Sequence, residues 1–164
     1  MARQTFRGQL ALRFLDAAPA NLAAPTQAEL TVAAGIADIL GVSGADGEGL
    51  MSMDGWEISP SSIDVPDAAS LNTASIPGEV TLGDASLTYY MDDTTQTIQD
   101  LFTADFGLPR WLGILPFGLG IGNYSTIVGV RVQKHSPDYQ VGNSAATFTT
   151  SFSKSSQTEG AQVT

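Results

Sequence analysis

The sequence of 164 residues contains no cysteine and only one histidine, His135. The lack of cysteine excludes disulfide bonds, thiolate zinc sites and cysteine nucleophiles. The sequence also has no run of about 18 apolar residues, so no transmembrane helix is predicted. Its first residues lack the apolar stretch of a secretory signal. We therefore expect a soluble protein made in a cytoplasm, and a chain of this length can fold without disulfide or metal.

Basic residues are scarce and unevenly placed. Seven Lys and Arg stand against seventeen Asp and Glu, which gives a net charge of −10. After Arg3, Arg7 and Arg13, residues 14–109 contain no Lys, Arg or His but hold fifteen of the seventeen acids. This excess of acid argues against binding to nucleic acid or to an anionic membrane. A chain with an acidic face and separate basic edges can stack on copies of itself, although chance in an acidic lineage would produce the same sorting.

Most of the chain has the alternating pattern of β-strands. Strands are predicted at residues 5–14, 50–58, 84–91, 111–117, 126–133 and 145–154. The first is expected to be half-buried, with Leu12 and Phe14 on the apolar face and Arg13 on the polar one. Residues 41–49 and 60–78, rich in Gly, Ser and Pro, are predicted to be loops. Residues after 154 are expected to form a polar tail.

Two helices are predicted. Thr26 and Glu29 form a capping box at the start of a short helix, which Gly35 should follow with a turn. The clearer helix follows Asp93 as N-cap and ends before Gly107. Its apolar side is predicted to consist of Ile98, Leu101, Phe102 and Phe106.

These elements predict a mainly β fold. We expect a two-sheet antiparallel β-sandwich or partly closed barrel with one flanking α-helix. The length of the chain is typical of one domain, so we expect a single domain over residues 1–164, with extended N-terminal and C-terminal segments.

The sequence offers little for catalysis. Residues 135–138 (His-Ser-Pro-Asp) hold the residue types of a hydrolase triad, but three such side chains this close in sequence do not line up. We expect a polar turn there. A Ser-x-x-Lys pattern at residues 151–154 falls on a predicted strand, and the glycines of residues 118–122 lack the lysine of a phosphate loop. No enzyme is expected.

No cofactor or metal is expected either. Asp46 with Glu48, or Asp92 with Asp93, could ligate calcium, but neither pair matches a full calcium-loop pattern. An alternative function is a small β-sandwich module that binds carbohydrate or another ligand through aromatic side chains. Its candidate residues are Trp56, Trp111, Tyr89 and Tyr90.

Several segments, taken in order, resemble the major tail tube proteins of long, non-contractile-tailed (siphovirus-type) phages. Residues 25–30 and the acidic stretch around Asp38 resemble that family's early helix. Residues 54–58 and 61–67 resemble its strand and long loop, and residues 76–78 and 85–93 the strand that enters its helix. The strands at residues 127–132 and 148–152 complete the order.

The resemblance implies a virion protein whose subunits form hexameric rings stacked into a tube. It also implies a tape measure protein inside the tube, tail terminator and tip proteins at its ends, and genomic DNA that passes through without specific binding. An acidic wall would repel DNA, and a related tube of a contractile machine stays open as a variant. The candidate inter-ring contacts are loops 41–49 and 60–78 and both terminal segments, with the stacking residues Arg3, Arg7, Arg13, Asp46, Glu48, Asp64 and Asp67.

Overall fold

The computed structural model describes residues 10–41, 48–57, 59–65, 74–91, 96–138 and 146–164. Nine strands and two helices follow one another along these residues. They are β1 (Ala11–Leu15), α1 (Gln27–Leu30), β2 (Ile36–Asp38), β3 (Leu50–Asp54), β4 (Ser59–Val65), β5 (Ala74–Thr81), β6 (Ala85–Tyr90), α2 (Thr97–Ala104), β7 (Pro109–Leu115), β8 (Tyr124–Asp138) and β9 (Thr147–Gln162).

Seven strands form one antiparallel sheet in the order β2-β1-β7-β8-β9-β6-β3, and β4 and β5 form a separate pair. The mainly β fold class predicted from the sequence is confirmed, whereas the two-layer sandwich is not shown. The sheet is not closed. Its two edges approach each other at one corner, where the Leu50 N–H donates to the carbonyl of Leu40 (3.2 Å).

Strands β8 and β9 form the longest hairpin and occupy the middle of the sheet. Their register shifts at three places, each of which adds local twist. Residues 135–138, expected as a turn, continue β8, and residues 155–162, expected as a polar tail, continue β9. Both expectations were wrong because these residues are held by backbone pairing, which leaves no mark in the hydrophobic pattern.

The core lies on both faces of the sheet. On one face, α2 packs through Phe102, whose ring centroid lies 5.5 Å from that of Phe14 and 5.4 Å from that of Phe152, both edge-on. On the other face, Leu30 of α1 packs with Leu115, Ile127 and Val163 among others. Strand β1 is therefore buried on both sides, not half-buried as its alternating sequence suggested.

Both predicted helices are present, with α1 ending at Leu30 and α2 beginning at Thr97, three residues later than an N-cap at Asp93 implies. In α1, the Thr26 hydroxyl accepts from the Glu29 N–H (3.3 Å) and the Glu29 carboxylate accepts from the Thr26 N–H (2.8 Å), so the capping box is confirmed. In α2, Ile98 and Phe102 are buried as expected. Phe106 was wrongly placed on that face: it follows the helix end and is 58% exposed. The predicted cap Asp93 lies outside the described residues.

The hairpin of β4 and β5 replaces most of the loop predicted for residues 60–78. Its pairs run from Ser59 opposite Thr81 to Val65 opposite Ala74. Each strand of a two-stranded sheet keeps one unpaired edge, and proline is tolerated in edge strands because its missing N–H can face away from the partner. Pro60 and Pro77 therefore did not exclude strands here.

Candidate functional site

Arg13, a predicted stacking residue, binds groups of its own subunit. Its guanidinium donates to the carbonyls of Leu30 and Leu12 (both 3.1 Å) and lies 2.8 Å from the carboxylate of Asp38. The residue is only 8% exposed. Arg13 thus joins β1 to α1 and β2, and a role for it between subunits stays a prediction.

Glu48, the second predicted stacking residue that the structure describes in full, caps α2. Its carboxylate accepts hydrogen bonds from the backbone N–H groups of Ile98 and Gln99, the second at 3.2 Å. A negative charge is favourable at the N-terminus of a helix, where backbone N–H groups lack partners. Sequence reasoning missed this cap because it comes from a residue fifty positions away.

The other predicted stacking residues are not brought together by the described structure. Arg3, Arg7, Asp46 and Asp67 lie outside the described residues. Asp64 lies in β4, where its backbone pairs with Ser75. Contacts of these residues with other subunits stay predictions.

The candidate aromatic platform does not lie on the surface as a unit. Tyr89 is fully buried and its hydroxyl donates to the carbonyl of Ile39 (2.8 Å); burial raises its pKa. Trp56 is partly buried, with its indole N–H donating to the carbonyl of Ser86 (3.0 Å). Trp111 is partly buried against the α1 side of the core, and only Tyr90 is exposed. This arrangement gives no support to carbohydrate binding by stacking.

The triad-like sequence at residues 135–138 does not form a triad. Successive residues of a strand point to opposite faces, so Ser136 and Asp138 lie on the face away from His135. The imidazole Nδ1 lies 3.1 Å from the Thr150 hydroxyl and the ring centroid 5.1 Å from that of Phe148. Burial lowers the pKa of His135. This environment is typical of a packed histidine.

The cations of the described residues fall into two groups. Besides Arg13, Arg110 is ion-paired: its guanidinium lies 2.6 Å from Asp105 and 3.5 Å from Asp16, and the bond to Asp105 raises its pKa. Lys154 is buried, with its ammonium donating to the carbonyls of Gly55 (2.6 Å) and Glu57 (3.2 Å). The second group consists of Arg131 and Lys134, which are exposed on β8 and form no ion pair within the described residues.

The backbone of an exposed apolar turn lies against the same part of β8. Phe106 and Leu108, at 58% and 43% exposure, lie in the turn between α2 and β7. The turn is held against β8, since the Gly107 N–H donates to the carbonyl of Val132 (3.0 Å). We call the surface formed by Phe106, Leu108, Arg131 and Lys134 the turn patch.

Four exposed acids lie in segments that adjoin at another corner of the sheet, which we call the acidic corner: Asp54, Glu57, Asp84 and Glu159. Asp54 pairs with Ser86 at the start of β6, two residues after Asp84. The Gln157 side chain donates both to the Trp56 carbonyl (2.9 Å) and to the Glu159 carboxylate (3.0 Å). In the described part of the chain, none of the four acids forms an ion pair.

Two kinds of functional feature are absent from the described ranges. None of their helices has the length and apolar character needed to cross a membrane. The same ranges hold no group of three or more side chains of the types that ligate metals.

Comparisons with known proteins identify relatives of the chain. The model of a family described as "Phage tail tube protein" matches residues 1–107, whereas no curated protein matches. A sheath/tube terminator of the PVC extracellular contractile injection system has a TM-score of 0.59 at 12% identity, covering 93% of both chains. A chain of the anti-feeding prophage (AFP) baseplate has a TM-score of 0.57 at 10% sequence identity, and the match covers 96% of both chains.

A chain of the PVC sheath-tube complex has a TM-score of 0.56 at 13% identity, covering 92% of this chain and 88% of its own length. At such low identities, the three structures show a shared fold.

Proposed function

This chain belongs to the phage tail tube protein family, and from that membership we propose that it is the subunit of a tube built from stacked hexameric rings. It is a structural component of the virion tail and not an enzyme. The observation that carries the proposal is the family match over residues 1–107. Similar folds in a tube terminator and a sheath-tube complex support it along nearly the whole chain.

The charge of the chain suits a conduit for DNA. With a net charge of −10 and few exposed cations in its described part, the subunit has little to hold phosphate groups. DNA would pass through such a tube during ejection without specific binding.

Partners follow from the proposed position of the subunit in a tail. A tape measure protein inside the tube, and terminator and tip proteins at its ends, are the partners that family resemblance favours. The neighbours described as a terminator and a baseplate support partners at the ends of a tube. The non-contractile type of tail rests on sequence resemblance alone, since the neighbours with similar folds come from contractile systems.

Contacts between rings are proposed to form between basic residues near the start of the chain and acidic residues of the next ring. Arg3 and Arg7 near the start of the chain would meet acids such as Asp46, Asp64 and Asp67 of the next ring. Opposite charges on the two sides of a ring would orient its stacking, and a head-to-tail contact of this kind repeats into a filament.

Negative-stain electron microscopy of the purified protein tests the proposal. We expect rings or hollow tubes of uniform diameter at high protein concentration, with sixfold symmetry in end views. Concentration and salt should be varied, and preformed tail-tip complexes added as an initiator. A chain that stays monomeric under all these conditions would contradict the proposal.

A further inference from the structure

We propose that the turn patch of one copy docks on the acidic corner of a second copy. This inference rests on the proposed self-assembly and names a contact through which it occurs. It assigns this contact to the turn before β7, to β8 and to the acidic corner, and it is additional to the proposed stacking through Arg3 and Arg7.

Unpaired charge is the first argument. Within the described residues, Arg131 and Lys134 are exposed cations without an ion pair, and the acidic corner holds four exposed acids without one. Four acids in adjoining segments repel one another in the free subunit, and the ammonium of Lys154 at the Gly55 and Glu57 carbonyls offsets only part of their charge. A basic surface of a second copy relieves that repulsion, and complementary charges also set the orientation of the contact.

The apolar part of the turn patch is the second argument. Phe106 and Leu108 leave large side chains in water, in a turn whose backbone pairs with β8 at Val132, the residue after Arg131. An apolar centre with a charged rim is the usual composition of a protein interface. At the acidic corner, Trp56 is only partly buried, with its ring centroid 5.7 Å from that of Phe152, so the corner also has an apolar component.

The positions of the two surfaces are the third argument. The turn patch lies where β7 begins to pair with β8, since Pro109 is opposite Arg131. The acidic corner lies where β6 begins to pair with β9, since Ala85 is opposite Phe152. Because β7 and β6 flank the hairpin of β8 and β9 on opposite sides, one subunit presents both surfaces at once. A contact between unlike surfaces then repeats from copy to copy and closes a ring or extends a filament.

Two charge-reversed variants test the contact. One reverses the turn patch (Arg131→Glu with Lys134→Glu), and the other reverses the acidic corner (Asp54→Lys, Glu57→Lys, Asp84→Lys and Glu159→Lys). Each variant alone has two surfaces of like charge, so assembly should need at least about a tenfold higher protein concentration than in the wild type. An equimolar mixture restores opposite charges at every contact and should assemble within about threefold of the wild-type concentration.

Sedimentation velocity and electron microscopy measure the assembly, and circular dichroism checks the fold of each variant. Asp100→Lys, which reverses an exposed acid of α2 outside both surfaces, is the matched control and should assemble like the wild type. Rescue by mixing could not occur if the variants were misfolded.

A second measurement uses the lack of cysteine in the chain. Lys134→Cys protein mixed with Glu159→Cys protein should give a mixed cross-linked dimer with a short bis-maleimide reagent. Val32→Cys, exposed elsewhere, replaces Lys134→Cys in the control and should give at least about tenfold less product.

The results separate this inference from the proposed function. Reversed variants that each assemble like the wild type, or a folded mixture that stays unassembled, would overturn the contact but leave the tube intact. A failure of the wild-type chain to assemble at all would overturn both.

Discussion

Arg13 lies in the middle of β1, where its neighbours on both faces of the sheet are buried. A buried charge is tolerated only if its donors find partners, and the guanidinium finds two carbonyls and the carboxylate of Asp38. The same residue was expected on a polar face because the sequence around it alternates. Its contacts with the Leu30 and Leu12 carbonyls and with Asp38 show that a charged residue on a strand can connect α1 to the sheet.

The variant Arg13→Met tests this structural role. Methionine keeps much of the apolar stem but leaves the Leu30 carbonyl without its donor, so the free energy of unfolding should fall by about 1–3 kcal/mol. Urea denaturation measures the change. Arg131→Met removes an exposed arginine from β8 and should change stability by less than about 0.5 kcal/mol. Equal losses in the two variants would contradict the role of Arg13.

Tyr89 gives a second prediction, on the pH dependence of stability. Burial, with smaller effects from Glu48 and Asp38, raises its pKa above the usual value of about 10. Above that pH the hydroxyl loses its proton in the unfolded chain but keeps it in the folded one. Stability therefore falls as pH rises, by about 1.4 kcal/mol per pH unit.

Tyr89→Phe should lack this loss. At pH 7 the variant should be about 1 kcal/mol less stable than the wild type, because the Ile39 carbonyl loses its donor. By pH 11 the two proteins should be nearly equal in stability. Urea denaturation at pH 7, 9 and 11 measures the difference, with Tyr90→Phe as the exposed control. A difference that stays constant over this range would contradict the prediction.

At the scale of elements, α2 depends on a residue outside it. Gln96 at its N-cap position makes no capping bond with its side chain, and the carboxylate of Glu48 takes that place. Because Phe102 carries the packing of α2 on the sheet, the cap also holds one side of the core.

Glu48→Gln should weaken this helix without removing it. The amide can accept fewer bonds than the carboxylate and carries no charge, so we expect a loss of about 1 kcal/mol in stability. Amide hydrogen exchange should become faster in α2 than in β8. Glu57→Gln removes an exposed carboxylate of the acidic corner and is the matched control. Unchanged exchange in α2 would show that Glu48 is not its cap.

The predicted elements succeeded where local pattern and packing agree. The capping box of α1, the strand at Ala85–Tyr90 and the buried residues Ile98 and Phe102 are set by neighbours in sequence. The hairpin of β4 and β5 was missed because the Gly, Ser and Pro of these residues indicated a loop, and the ends of β8 and β9 were missed because backbone pairing between mainly polar residues defines them. The turn patch and the acidic corner were missed because each collects residues from segments that are far apart in the sequence.

At the scale of the whole molecule, fewer cations can contact other subunits than the sequence suggests, because several are bound within their own subunit. Arg13 and Arg110 are used in ion pairs inside the subunit, and the ammonium of Lys154 is bound by backbone carbonyls. The three N-terminal arginines are therefore not equivalent. Reversing the charge of all three would disturb folding through Arg13, so a test of stacking should change only the first two.

The variant Arg3→Glu with Arg7→Glu provides that test. If these arginines meet acids of the next ring, tube growth should slow by at least about fivefold while rings still form, because like charges then face each other. Stability should change by less than about 0.5 kcal/mol. Light scattering follows growth, and electron microscopy distinguishes rings from tubes. High salt screens the repulsion and should restore part of the rate.

Gln4→Glu adds one acid without removing a cation, and tubes of this variant should grow at a rate closer to that of the wild type. Normal growth of the double variant would leave the turn patch and the acidic corner as the contact that charge controls.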